Sequence, residues 1–348
     1  MEKGKVTVLI GGQYGSEGKG AIVRHVANDY DVHIRVGSYN AGHTFYWNGD
    51  KHVMQAIPCG WINPNAKIII GRGAIVPIDG LLAEIEHIEK YYPDFKKRLF
   101  IDAEAGILDD AFHEIEGGKD GWLNQRIGST GEGCGAARVA RMSRSPQKFH
   151  RWGDIVAKEY GLEGCIHPNT PLLIAEEQDK GVNVLIEGTQ GSGLSLLHSH
   201  WPYCTSIDTN AAGVVSEVGL APTRVTDVIL VCRTFPIRVA GNSGPMYKET
   251  SWEALGVEPE ITTVTKKVRR VAEWDDALFK RSCLLNAPTE IALTFADYID
   301  KSVEGQSGKI KFGNLSEELK SWILHKDNEL CEKLRYISTG PDSIIEID

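Results

Sequence analysis

The chain has 348 residues, 42% of them hydrophobic and 24% charged, enough for a large α/β unit with a well-buried core. Its 38 basic and 47 acidic residues give a net charge of -9, which excludes a general nucleic-acid or membrane-surface binder, because those need a positive field. Seven cysteines without a C-x-x-C pair or paired Cys/His ligand spacing give neither a zinc site nor a disulfide framework, and no apolar run reaches the roughly 18 residues of a membrane span. A soluble, cytoplasmic protein is expected.

In chain order, strand-length apolar runs recur at VTVLI (Val6 to Ile10), VHIRV (Val32 to Val36), KIII (Lys67 to Ile70), RLFI (Arg98 to Ile101), VNVLI (Val182 to Ile186), VILVC (Val228 to Cys232) and IALTF (Ile291 to Phe295). Runs that are continuously apolar predict strands covered on both faces. Helical patterns lie between them: LLAEIEHIEK from Leu81, SPQKFHRWGDIVAKEYG from a capping Ser145 to Gly161, and the amphipathic SEELKSWILHKDNELCEKLRYI near the end. The alternation predicts an α/β fold with a large, mostly parallel central sheet flanked by helices. No repeat, low-complexity linker or composition break divides residues 1–348, so a single domain is expected.

GGQYGSEGKG (Gly11 to Gly20) follows the first strand and precedes a helical pattern. Glycines let backbone N–H groups approach phosphate oxygens, and Lys19 adds a full charge. An ordinary G-x-x-x-x-G-K-[ST] loop holds Mg²⁺ with its hydroxyl. Here Gly12 lies one residue too far upstream of Gly18 and Gly20 replaces the hydroxyl, which weakens a plain kinase or GTPase reading.

Further loops carry polar groups suited to a nucleotide. YNAGHT (Tyr39 to Thr44) offers His43 as an acid, with an ordinary pKa of about 6.5. IGSTGEGCG (Ile127 to Gly135) is a hydroxyl and glycine loop fit to wrap a phosphate. EGTQGSG (Glu187 to Gly193) follows a strand, where open α/β sheets bind ligands, although Gln190 also suits a loop brace. ITTVTKKVRR (Ile261 to Arg270) packs four cations and three hydroxyls into a cradle for a small dicarboxylate, with a solvated basic turn as the alternative.

Together these segments resemble the adenylosuccinate synthetase family, from the first loop to STGP (Ser338 to Pro341). The first loop is similar to G-x-Q-x-G-D-E-G-K-G, YNAGHT to N-A-G-H, IGSTGEGCG to G-T-T-G-x-G-x-G, EGTQGSG to E-G-x-Q-G and WPYCTS to Y-P-x-x-T-S. The resemblance implies Mg²⁺ held by Ser16 and the Gly42 carbonyl, and catalytic roles for Ser16, Lys19 and His43. It implies that Gly15, Glu17, Gly18, Lys19, Gly20, Gly42, His43 and Thr44 hold the triphosphate, with Asp297 and the turn Ser338, Thr339, Gly340 and Pro341 around its base. The purine monophosphate falls to Ser16, Asn40, Ser129, Thr130, Gln190 and Thr205, together with Arg144 from a neighbouring protomer. Arg141 is a rival for that last role, and a solvated basic helix face is the alternative for both arginines. Thr263, Val264, Thr265, Lys267 and Arg269 match, in part, the loop that binds L-aspartate. A homodimer with shared sites is implied, with no direct nucleic-acid or membrane partner.

Three departures bear on the substrate. Ser16 stands where the family has the aspartate that takes the purine N1 proton, Lys267 replaces an arginine, and Phe295 replaces a lysine beside Asp297. A serine hydroxyl is not a base at neutral pH without activation. A smaller, neutral side chain beside N1 leaves room for a 2-amino group, as in guanine. This resembles the bacteriophage branch, the 2-amino-2′-deoxyadenylosuccinate synthetases, which act on dGMP on the way to diaminopurine DNA. The expected reaction joins dGMP to L-aspartate with nucleoside triphosphate hydrolysis, in the host cytoplasm if the chain is phage-encoded. ATP or dATP are the favoured donors, with GTP still open; the alternatives are an ordinary synthetase acting on IMP and a catalytically silent nucleotide-binding protein.

Overall fold

The apolar runs line up side by side. The computed structural model describes residues 2–117, 121–155, 157–262 and 267–348. Its main sheet has eleven strands in the spatial order Gly308–Ile310, Ile344–Ile347, Leu334–Ser338, Glu290–Thr294, Asp227–Arg233, Val6–Gly11, Val184–Gly191, Val32–Arg35, Lys67–Ile70, Leu99–Asp102 and Ile166–His167. Every neighbouring pair is parallel except Leu334–Ser338 with Ile344–Ile347.

Strand Val6–Gly11 shows why continuous apolar runs were needed. Leu9 packs on one side with Ile22, Val23 and Val26 of helix Lys19–Val26. Val6, Val8 and Ile10 pack on the other side with Val214, Val215 and Val218 of helix Ala211–Val218. Both faces are covered, and each such side chain stabilises the fold by about 1.5–3 kcal/mol on burial. Because the central strands are parallel, the loops that leave their C-terminal ends gather along one edge of the sheet.

Two helical expectations need correction. Among the described residues of 145–161 there is no long helix: short 3-10 turns occupy Trp152–Asp154 and Ala157–Tyr160. Tertiary packing overrides the pattern there, because Trp152 is fully buried, its amide donates to the Ala105 carbonyl at 2.9 Å, and the Gly153 amide donates to Ala103 at 2.8 Å. The C-terminal amphipathic stretch breaks into helices Glu317–Leu324 and Asn328–Lys333, the second capped by Asp327, and LRYI then enters the sheet.

Candidate active site

At the loop-rich edge, Gly11 to Lys19 folds around its own acid. The Glu17 carboxylate accepts from the Gln13 amide at 3.1 Å and the Gly15 amide at 2.7 Å, and pairs with Lys19 Nζ at 2.7 Å. Glu17 therefore holds the loop from inside. The Gln13 side chain accepts from the Arg233 amide and donates to the Arg233 carbonyl, each at 3.0 Å, which fastens the loop to the next strand. Ser16 is exposed in the left-handed region at φ 58, a conformation rare outside glycine, asparagine and aspartate. The glycine at position 20 has a steric cause. A Cβ there would stand 2.7 Å from the Thr44 carbonyl oxygen, because hairpin His43–Met54 crosses at that point.

His43 opens that hairpin and meets a buried charge network. Glu187 and Arg35 are register partners on adjacent strands, and Arg35 Nη1 donates to Glu187 Oε1 at 2.8 Å. His43 Nδ1 lies on the same carboxylate oxygen, while the Cys59 amide donates to Oε2 at 2.7 Å. A carboxylate oxygen only accepts, so Nδ1–H donates to it and Nε2 is left for the cavity. Nε2 is buried without a partner. Burial of the imidazole, aided by the Arg35 and Lys19 charges, lowers the His43 pKa to about 3. Burial by itself would raise the Glu187 carboxyl; His43, Arg35 and the Cys59 amide outweigh it and bring it down to about 2. His43 is thus neutral in the unliganded protein.

His43, Cys59 and Glu187 are also near enough to one another to share a metal ion. Arg35 already occupies that carboxylate, and burial pushes the Cys59 thiol well above its usual range. The trio reads as a hydrogen-bond network.

A cavity of about 670 Å³ lies against these loops. Of the residues singled out in the sequence, Gly15, Ser16, Lys19, Asn40, Gly42, His43, Ser129, Thr130, Gln190, Thr205, Lys267 and Arg269 line it. Gln190 arrives through a register slip between the pairs Leu9–Glu187 and Gly11–Gly191, at φ 59, and its Oε1 is buried without a partner. Glu17, Gly18, Gly20 and Thr44 are not among the lining residues. Asp297 and Ser338 to Pro341 lie elsewhere, on turns that leave the paired strands Glu290–Thr294 and Leu334–Ser338. The Thr294 hydroxyl ties this region to the first loop by donating to the Glu17 carbonyl at 2.7 Å. Thr263, Val264 and Thr265 lie outside the described residues. Arg144 is exposed and away from the cavity, while Arg141 sits 5.4 Å over the Phe149 ring of its own chain.

Sequence reasoning missed Glu187, Arg35 and Arg238 as members of the site. The signal was present: an arginine inside VHIRV and a glutamate directly after VNVLI are charges in otherwise apolar strands. Arg238 packs 4.3 Å over Tyr14 and donates to the Tyr203 carbonyl at 2.9 Å, on the cavity wall.

Comparison with known proteins settles the family. The adenylosuccinate synthetase family model matches residues 8–167 and 162–306. The chain belongs to the adenylosuccinate synthetase family. An adenylosuccinate synthetase of Methanococcus maripaludis strain C7 is 37% identical over 349 residues, covering 98% of both chains. One from Methanocaldococcus jannaschii is 38% identical over 348 residues, covering 98% of this chain and 96% of its own. Among solved structures, the cyanophage S-2L succinoaminodeoxyadenylate synthetase, bound to dGMP and to dATP as an energy donor, superposes with a TM-score of 0.81. It shares 26% identity over 99% of this chain and 96% of its own. The fully ligated Plasmodium falciparum adenylosuccinate synthetase has a TM-score of 0.85 at 22% identity, covering 99% of this chain and all of its own, and supports the fold alone. As members of this family do, the protein acts as a C–N ligase driven by a nucleoside triphosphate.

Proposed function

We propose that the protein joins dGMP to L-aspartate, with ATP or dATP as donor, through a 6-phosphoryl purine. The observation that carries this reading is Ser16, a neutral hydroxyl on the cavity wall together with Lys19, His43 and Gln190. Among the described residues of that wall the one carboxylate is Glu116, which accepts from the Gly133 and Ala136 amides at 3.0 Å each, so it does not compete for the space a 2-amino group needs. The dGMP and dATP bound by the cyanophage neighbour support the same choice.

Lys19 neutralises charge on the transferring phosphoryl group, and His43 Nε2 donates to it once the phosphate has raised the imidazole pKa. Gln190 meets the base edge, and Ser129 and Thr130 hold the 5′-phosphate. Lys267 and Arg269 hold the carboxylates of aspartate, whose amine then displaces the 6-phosphate. Asp297 and the 338–341 turn meet the donor base. Ser16 and Gly42 both line the cavity, and a hydroxyl and a main-chain carbonyl are hard neutral oxygens that suit a Mg²⁺ arriving with triphosphate oxygens rather than a bare cation. Such an ion would supply charge neutralisation on the phosphates.

Incubating the enzyme with dGMP, L-aspartate, dATP and Mg²⁺ should yield the N6-succinyl product and phosphate in equal amounts. Turnover confined to IMP would instead establish the second reading, an ordinary synthetase, which the 37% and 38% identities to archaeal adenylosuccinate synthetases favour. No aspartate-dependent product with any purine monophosphate would leave a silent nucleotide-binding protein.

We also propose a homodimer in which Arg144 completes the neighbour's site. Ile115, Val139 and Met142 are 68%, 68% and 78% exposed on two helices that pack together beside Arg144, an apolar patch suited to a two-fold interface. Mixed dimers of Arg144→Ala with Lys19→Met chains contain one site with both defects and one with neither. They should recover up to about half the activity per dimer; demonstrated mixed dimers with no recovery would contradict sharing.

A further inference from the structure

Arg233 ends the strand beside the phosphate loop and is fully buried. Its Nη1 donates to the Ser16 carbonyl at 3.2 Å and to Glu260 Oε2 at 3.2 Å, and Nη2 donates to Glu260 Oε1. Its guanidinium lies 3.9 Å over the ring of Phe295, which is held in the left-handed region at φ 59. Tyr298, on the same turn as Asp297, donates its hydroxyl to Glu260 at 3.2 Å. The Glu260 carbonyl accepts from the Arg269 amide at 2.8 Å, and Arg269 itself lines the cavity. One ion pair therefore touches the Ser16 turn, the donor-base turn and the cationic loop.

The charges are unequal. Glu260 is one carboxylate acted on by two cations, Arg233 and Arg269, which together hold its carboxyl below the ordinary range against the opposing effect of burial. A dicarboxylate that engages Arg269 releases Glu260 from that competition. Glu260 then acts on Arg233 alone, and Arg233 holds the Ser16 carbonyl and the Phe295 turn more firmly.

We propose that Arg233 and Glu260 are a positioning pair that couples the two substrate sites, so that engagement of a dicarboxylate by Arg269 tightens binding of the triphosphate. This rests on the ligase reading, with the donor at the phosphate loop and the acceptor acid at Arg269. Neither residue touches a reacting atom in this scheme; both act through Ser16 and Phe295.

The test measures binding of the β,γ-imido analogue of dATP, with Mg²⁺ and dGMP present, with and without saturating succinate, a dicarboxylate that lacks the amine. In the unaltered enzyme, succinate should tighten the analogue about tenfold. In Glu260→Gln, which keeps the shape and loses the charge, the effect should fall below about twofold while the affinity without succinate stays within about threefold. Arg233→Lys should behave like Glu260→Gln, and a shared thermal midpoint with the unaltered enzyme separates lost coupling from lost folding. No succinate effect in the unaltered enzyme, or one that persists in Glu260→Gln, overturns the proposal. Failure of the ligase reading is seen separately, as absent turnover in the product assay.

Discussion

Lys19→Met should lower kcat by about 10²–10³ and reduce stability by about 3 kcal/mol, the two losses having different origins. The side chains of Lys19 and Glu17 are 1% and 0% exposed, so methionine leaves a buried carboxylate without its counter-charge. The amides of Gln13 and Gly15 still donate to that carboxylate, which keeps the loss at the lower end for a broken buried pair. The catalytic loss comes from the missing charge at the transferring phosphoryl group. The double variant Lys19→Met with Glu17→Gln separates these effects: stability should return in part, and activity should not. Urea unfolding and steady-state phosphate release read the two quantities. Retention of activity within tenfold in either variant would remove Lys19 from the chemistry.

Glu187→Gln should lower kcat by about 10²-fold, with a smaller change in KM for the nucleotides. The Glu187 carboxylate is acceptor-only and meets three donors: Arg35 Nη1, His43 Nδ1–H and the Cys59 amide. A glutamine amide has one acceptor and one donor end, so either orientation turns an NH₂ against a donor. With the NH₂ at the Oε1 position, His43 loses the partner that fixes its tautomer and aims Nε2 into the cavity; with the NH₂ at the Oε2 position, it faces the Cys59 amide instead. In the first orientation Arg35, 2% exposed, keeps only the Ala41 carbonyl, and in either one a buried donor faces the NH₂ and the Arg35 counter-charge is gone, so a stability loss of about 3 kcal/mol should accompany the kinetic one. An unchanged kcat would show that His43 needs no orientation by Glu187.

The fold was legible where local pattern and tertiary packing agree. All seven apolar runs contribute strands, because strands buried on both faces must be apolar along their length. Short or mixed strands such as Ile166–His167 and Leu334–Ser338 carried no such signal, and their places are set by pairing with neighbours. Residues 145–161 misled because a capping serine and a terminal glycine suggested a helix, while buried Trp152 and its bond to Ala105 draw the segment against the 103–107 edge. At the site, loops named by glycine and hydroxyl content do meet at one cavity. Motif reading could not show that Glu17 turns inward, or that Glu187 and Arg35 form the base on which His43 stands. The first follows from hydrogen bonds within the loop itself, and the second from strand register, which relates residues about 150 positions apart.

The dGMP reading requires Ser16 to lie beside the purine ring and make room for a 2-amino group. Ser16→Asp tests it most directly, because aspartate tolerates the left-handed conformation at φ 58 and the fold should survive. Measured as kcat/KM for dGMP over kcat/KM for IMP, the unaltered enzyme should favour dGMP, and Ser16→Asp should shift the ratio toward IMP by about a hundredfold or more. A ratio that favours IMP in the unaltered enzyme, or that stays the same in the variant, would remove Ser16 as the residue that selects guanine.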